Sequence, residues 1–192
     1  MALSYPLAFP TATGVAKVTM RAVNVVGFSA SPFSLAQQTV RHSGQRWGAQ
    51  IELPPMRQPD AKAWRAFLLS LKGQWGTFLM GEPGYVGPAG GATSGTVTGA
   101  AGDEAVTVSL SGGSLNPGDR FQLGSGSGAR LYEVLQVVGT TVDIFPALRA
   151  AASGASMTLS APQGVWRLAA PNVDWTNDVG TFGVSFEAME AL

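Results

Sequence analysis

A chain of 192 residues is long enough for one well-buried core, or for one domain that carries a sizeable insertion. Hydrophobic residues make up 45% and charged residues only 12%, with 12 basic and 12 acidic side chains. That balance excludes the basic footprint of a nucleic-acid or anionic-membrane binder and the high net charge of a disordered chain. There are no cysteines, so disulfide frameworks and thiolate chemistry are excluded, and a surface this poor in charge fits one covered by neighbours.

The opening "MALSYPLAFP" lacks a basic start and is interrupted by Pro6 and Pro10, so it does not read as a secretory leader. No apolar run approaches the roughly 18 residues of a membrane span. The expectation is a soluble chain used in a cytoplasm or in a particle assembled there, with no membrane insertion. Residues 15–30 alternate as a strand with Val18, Met20 and Ala22 on one side. Residues 33–56 are predicted to form a hairpin, with Val40 and Trp47 flanking the turn signal "HSGQ". In its second strand Trp47, Ala49, Ile51 and Leu53 share a face at period two, and Pro54-Pro55 ends it.

A helix follows at about 59–72, with Asp60 or Gln58 as cap and Pro59 tolerated in its first turn. Trp64, Phe67, Leu68 and Leu71 fall at i, i+3, i+4 and i+7 and form one apolar stripe, and Gly73 is the expected stop at C′. The stretch "GQWGTFLMGEPG" returns as a strand, with Trp75, Thr77 and Leu79 on one side and Phe78 and Met80 on the other. A helix with one apolar face in a β protein packs most simply across the open side of a sheet.

Composition changes at residue 84. Between Gly84 and Gly128 lie 13 of the 25 glycines, and no lysine follows Lys72. Five short strands are legible between glycine turns, at 105–110, 120–124, 130–138, 141–146 and 156–161, and they describe a small barrel or sandwich. Longer strands return at 165–169 and 181–190, the latter with Phe182, Val184 and Phe186 in alternation. The last strand is expected to pair back with the N-terminal sheet. The fold class is therefore mainly β: a core of 1–85 and 163–192 with one flanking helix, and 86–162 as an inserted β-domain.

Residues that could carry chemistry are few. The single histidine, His42, lies in "RHSGQR" and reads as a solvated or interface turn residue. Asp103 and Glu104 are adjacent and would point to opposite sides of a strand, which does not make an acid/base pair. Asp174 and Asp178 flank Trp175 in a polar turn. "GSGSGAR" (124–130) precedes a strand and has no Lys-Ser/Thr pair, so it reads as a hairpin loop and not as a phosphate cradle. In "NPGDRFQL" Pro117 and Gly118 shape a turn in which Asp119 bonds locally. Of the five tryptophans, Trp47, Trp64, Trp75 and Trp166 fit core or sheet positions, which leaves Trp175 as the candidate exposed aromatic. No catalytic, cofactor or metal site is expected, and the chain does not read as an enzyme; a hydrolase with loop acids is the weakest of the three readings.

Two long stretches, "SPFSLAQQTVRHSGQRWGAQIELPPM" and "AKAWRAFLLSLKGQWGTFLMGEP", together resemble the N-terminal half of distal tail proteins of long-tailed bacteriophages and prophages. "LNPGDRFQLGSGSGARLYEVLQVV" and the segment from "VDIFPALRAAASG" to "APQGVWRLA" resemble the inserted β-domain of that group, and the ending "VGTFGVSFEAMEAL" fits as well. The resemblance covers most of the chain from about Ser31. It implies a tail-tube-like β-sandwich or split barrel with one flanking helix, and a homo-oligomeric ring, typically a hexamer, at the virion tail tip. Tube protein and tip hub would be the partners, with DNA passing through the channel unread. The hairpin 33–53, with Val40, His42, Arg46 and Trp47 and with Trp47 near its tip, is the candidate arm towards a neighbouring subunit. The alternative is a carbohydrate-binding β module or adhesin that uses Trp175.

Overall fold

The computed structural model describes residues 3–10, 14–178 and 181–192. Alternating stretches of the sequence become β1 (Leu7–Ala8), β2 (Lys17–Ala30), β3 (Gln37–Glu52) and β4 (Phe78–Gly81), with α1 (Gln58–Ser70) between β3 and β4. After the glycine-rich shift come β5 (Ser94–Gly99), β6 (Ala105–Ser111), β7 (Arg120–Leu123), β8 (Arg130–Val138), β9 (Thr141–Phe145) and β10 (Ala152–Thr158). The chain then adds β11 (Gln163–Leu168), β12 (Trp175–Asp178) and β13 (Thr181–Glu190). The protein is mainly β with one α-helix among the described residues.

The first and last groups of strands form one mixed sheet in the order β1-β4-β11-β13-β3-β2, and β12 pairs with the first part of β13. β13 lies at its centre, antiparallel to both β3 and β11, so the last strand does return to the N-terminal sheet. Its Phe182, Val184, Phe186 and Ala188 are buried with Trp47, Ala49 and Ile51 of β3, as period two requires. Across this face lies α1, whose Trp64, Phe67 and Leu68 are buried, as is Leu71 just beyond its last residue. Phe9, on the segment after β1, meets Trp64 edge-on with ring centroids 5.1 Å apart and stacks on Phe78 at 5.8 Å.

Helix α1 starts without a side-chain cap: Arg57 is the flanking residue, Pro59 occupies the first turn, and Asp60 lies there as an acid near the positive end of the helix dipole. The stop is made by two left-handed residues, Lys72 at φ 51° and Gly73 at φ 67°, so the expected C′ glycine is one place late. A Cβ on Gly73 would lie 2.8 Å from the Pro171 carbonyl oxygen, which explains why glycine stands there. Trp75 departs from its expected core position and is 79% exposed. The chain turns tightly first, with Gly76 N donating to the Leu71 carbonyl at 2.7 Å, and the strand begins only at Phe78.

The predicted hairpin within 33–56 is not formed. β3 runs unbroken through "HSGQ", and the hairpin is made by β2 and β3, paired from Lys17↔Glu52 to Ala30↔Gln37. Its turn is Ser31–Ala36, where Ser31 N donates to the Ala36 carbonyl at 2.9 Å and Ser31 Oγ accepts from Ser34 N at 3.3 Å. The glycine that suggested a turn belongs to a bulge: between the pairs Asn24↔Gln45 and Val26↔Arg41, His42, Ser43 and Gly44 oppose Val25 alone. A Cβ on Gly44 would lie 2.7 Å from Val25 Cγ2.

Strands β5 to β10 close a six-stranded antiparallel barrel in the order β10-β5-β6-β9-β8-β7. Five were expected. The additional strand is β5, "SGTVTG", whose two glycines and single fully buried valine, Val97, give almost no alternation. Val97, Val106, Phe121, Tyr132, Val134, Val142 and Ile144 fill the interior, and in sequence all six strands lie between β4 and β11.

Barrel and sheet meet along a buried seam, with Leu131 and Phe145 joining the core cluster of the sheet. Trp47 packs edge-on against Phe145 at 4.7 Å and donates its indole N–H to the Leu131 carbonyl at 3.0 Å. Arg149 grips the buried Glu190 with two bonds, Nη2 to Oε2 at 2.6 Å and Nε to Oε1 at 3.1 Å. The same Glu190 accepts from Trp47 N at 3.1 Å, and Arg149 Nη2 also reaches the Gln45 carbonyl at 2.8 Å. Arg120 pairs with Glu82 at 2.8 Å and Glu133 at 2.9 Å, with its guanidinium 5.4 Å from the Trp47 ring centroid. Burial pushes the hydroxyls of Tyr132 and Tyr85 above the ordinary tyrosine pKa, and each accepts a backbone N–H, from Arg149 and Arg120 respectively.

Candidate functional site

Among the described residues, two surfaces outside the buried seam bear on function: the distal half of the β2–β3 hairpin and a cleft beside β12. In the hairpin the bulge divides environments. Below it, Trp47, Ala49 and Ile51 are buried against the sheet core; beyond it, nearly every residue of both strands is exposed. At about 3.3 Å per residue, the strand from Asn24 to Ala30 carries the tip roughly 20 Å past the bulge.

The projecting half is apolar for its exposure. Val25, Val26, Phe28, Phe33, Leu35 and Val40 are all exposed, with Phe28 at 63% and Phe33 at 98%, and Arg41 is the sole formally charged side chain from Asn24 to Gly44. Residues paired across an antiparallel ladder share a face, so Val26, Phe28 and Ala30 lie with Arg41, Thr39 and Gln37, while Gly27 and Ser29 lie with Val40 and Gln38. Free-standing two-stranded ribbons are marginal in water, and this one leaves several large apolar side chains exposed together.

The residues assigned to the arm from sequence divide accordingly. Val40 and His42 are exposed on the projecting half, His42 within the bulge instead of a turn. Arg46 is exposed at the root, its Nη1 3.1 Å from Met189 Sδ. Trp47 does not stand near a tip: it is 5% exposed at the junction of sheet and barrel. The most exposed apolar residues of the arm, Phe28, Phe33 and Leu35, are not among those the turn signal singles out, although the run "VVGFSASPFSL" carries five large apolar residues without a charge.

The second surface is an open cleft of about 810 Å³ whose lining includes Gln50, Glu52, Asn172, Asp174, Trp175 and Glu187. The polar turn expected around Trp175 is in part a strand, β12, and Trp175 is 37% exposed with the Arg65 guanidinium 4.9 Å from its ring centroid. The side chain of Asp178 lies outside the described residues. Glu52 lies 3.9 Å from Lys17, and Glu187 3.3 Å from Arg21.

The remaining acids have local work. Asp103 and Glu104 precede β6 and do not lie within a strand; Asp103 Oδ2 accepts from Ala100 N at 2.6 Å to close a turn, and Glu104 faces the hairpin. Asp119 accepts from Asn116 N at 2.7 Å and Ala89 N at 2.9 Å. "GSGSG" is a single 3₁₀ turn joining β7 to β8. Among the described residues, no group of three or more His, Asp or Glu is placed to hold a metal ion, and no helix is long and apolar enough to cross a membrane. The sequence matches no protein-family model and no curated protein.

Proposed function

We propose that this chain is a structural, ring-forming virion component at the distal end of a phage tail tube, joining tube to tip hub around a channel for DNA. The observation that carries the reading is the projecting half of the β2–β3 hairpin, an exposed apolar ribbon that a second copy would cover. Low surface charge and a strand edge on β2 guarded by few charges favour the same arrangement, in which each copy covers the edge of the next and six copies close the ring. The resemblance in the tryptophan, proline and apolar spacing supplies the tail context. No residue is assigned a catalytic role.

Light scattering across a wide concentration range is the direct test. The wild-type chain is expected to associate, and a variant with Phe28→Ser, Phe33→Ser and Leu35→Ser to remain monomeric at unchanged thermal stability. Absence of the protein from purified tail tips would overturn the tail reading, whatever the association state. A second reading, a carbohydrate-binding module, has one observation in its favour: Trp175 lines a cleft with amides and carboxylates. Arg65 already lies over that ring, which leaves less of it for a sugar. A glycan array with wild type and Trp175→Ala tests it, and equal or absent binding by both ends it.

A further inference from the structure

Glu104 belongs to the barrel, yet its Oε1 accepts from two side chains of the hairpin, Arg41 Nη2 and Gln45 Nε2, the latter at 3.0 Å. Those two residues stand on opposite sides of the bulge: Gln45 pairs with Asn24 at the root, Arg41 with Val26 on the projecting half. Gln45 is buried and held from a second direction, since its Oε1 accepts from Ala147 N at 2.8 Å. The root is therefore bolted to the barrel. The projecting half meets it, among the side-chain hydrogen bonds and ion pairs of the described residues, through Arg41 and this one carboxylate oxygen.

We propose that Glu104 is a latch that sets the direction of the hairpin arm, with the bulge His42–Gly44 as its hinge. At a bulge the ladder is already interrupted, so the ribbon can bend there with little loss of inter-strand bonding. Gly44 has no Cβ, and Val25 occupies the space one would fill, so the two strands stay close at the bend. Arg41 and Glu104 are both substantially exposed, at 59% and 44% of their side chains, and an ion pair in that setting biases a conformation by a few-fold without locking it. The latch thus holds a preferred angle from which another contact can draw the arm. It acts within one chain and does not rest on the ring assignment.

The absence of cysteine makes the test clean. Spin labels on Ser29→Cys in the arm and Ser153→Cys on the barrel, diluted with unlabelled chain, report one intramolecular distance distribution by pulsed electron spin resonance. The expected result is one dominant distance in the parent and a measurably broader distribution with Glu104→Lys, while a Ser109→Cys/Ser153→Cys pair within the barrel is unchanged. Arg41→Gln reads the same latch from the arm and should broaden the distribution as well, which keeps the test valid if Glu104→Lys folds poorly. Equal widths in parent, Glu104→Lys and Arg41→Gln, whether all narrow or all broad, would overturn the proposal.

Discussion

Residues 45–52 and 37–44 form one unbroken strand, β3, and meet opposite surroundings. The first half alternates buried and partly exposed side chains and lies between β13 and β2 in the sheet. Among the described residues, the second half pairs with β2 alone, and it is exposed along its whole length. The ladder to β2 runs through both halves, so pairing in a strand by itself does not distinguish a core element from an arm. The distinction comes from what lies beyond the ladder: Trp47 and Gln45 enter the barrel seam, whereas Val40 and Thr39 are exposed. The bulge falls where one regime changes to the other.

Substitutions can break that comparison. Trp47→Ala should have the largest effect, because it removes a buried aromatic from the seam together with its bond to Leu131, a truncation that costs about 3–5 kcal/mol; denaturant unfolding measures it, and wild-type stability would place the root outside the core. Arg149→Leu should come next, at about 3 kcal/mol, since it strands the buried Glu190 carboxylate with one backbone N–H. Its thermal midpoint should recover in part when Glu190→Gln is added, and no recovery would mean that packing rather than charge dominates the seam. Phe33→Ser should be the smallest, within about 0.5 kcal/mol of wild type, as expected for an exposed turn residue. A clear loss of stability in the dilute monomer would show that the arm is packed after all.

What was legible in the sequence follows the range of the forces involved. The stripe Trp64, Phe67, Leu68 and Leu71, the face Trp47 to Leu53 and the alternation in β13 are local periodicities, and each lies where its spacing placed it. Trp75 was misplaced because the strand boundary depends on a Gly76 turn that packs against Tyr5, far away in sequence. "HSGQ" was misjudged because glycine serves a turn and a bulge equally well, and the choice was made by Val25 on the opposing strand. Of the arm, the surface was readable as a charge-poor apolar run. The contact of Glu104 with Arg41 and Gln45 was not, since it joins residues about sixty positions apart through a fold that local pattern does not encode.

The central place of β13 also imposes an order of events on the growing chain. All six barrel strands are present once residue 158 has been made, and every one of their pairings is internal to 94–158. The sheet has no such luxury: β3 and β4 are made early, but the two strands that lie between them, β11 and β13, arrive only after the barrel. Contacts that close over so long a separation form late, because the loop entropy is lost before the contact is gained. Until residue 190 is in place, the apolar faces of β3 and α1 lack their middle strand, while the barrel strands already made carry the Phe145 ring and the Leu131 carbonyl that Trp47 meets.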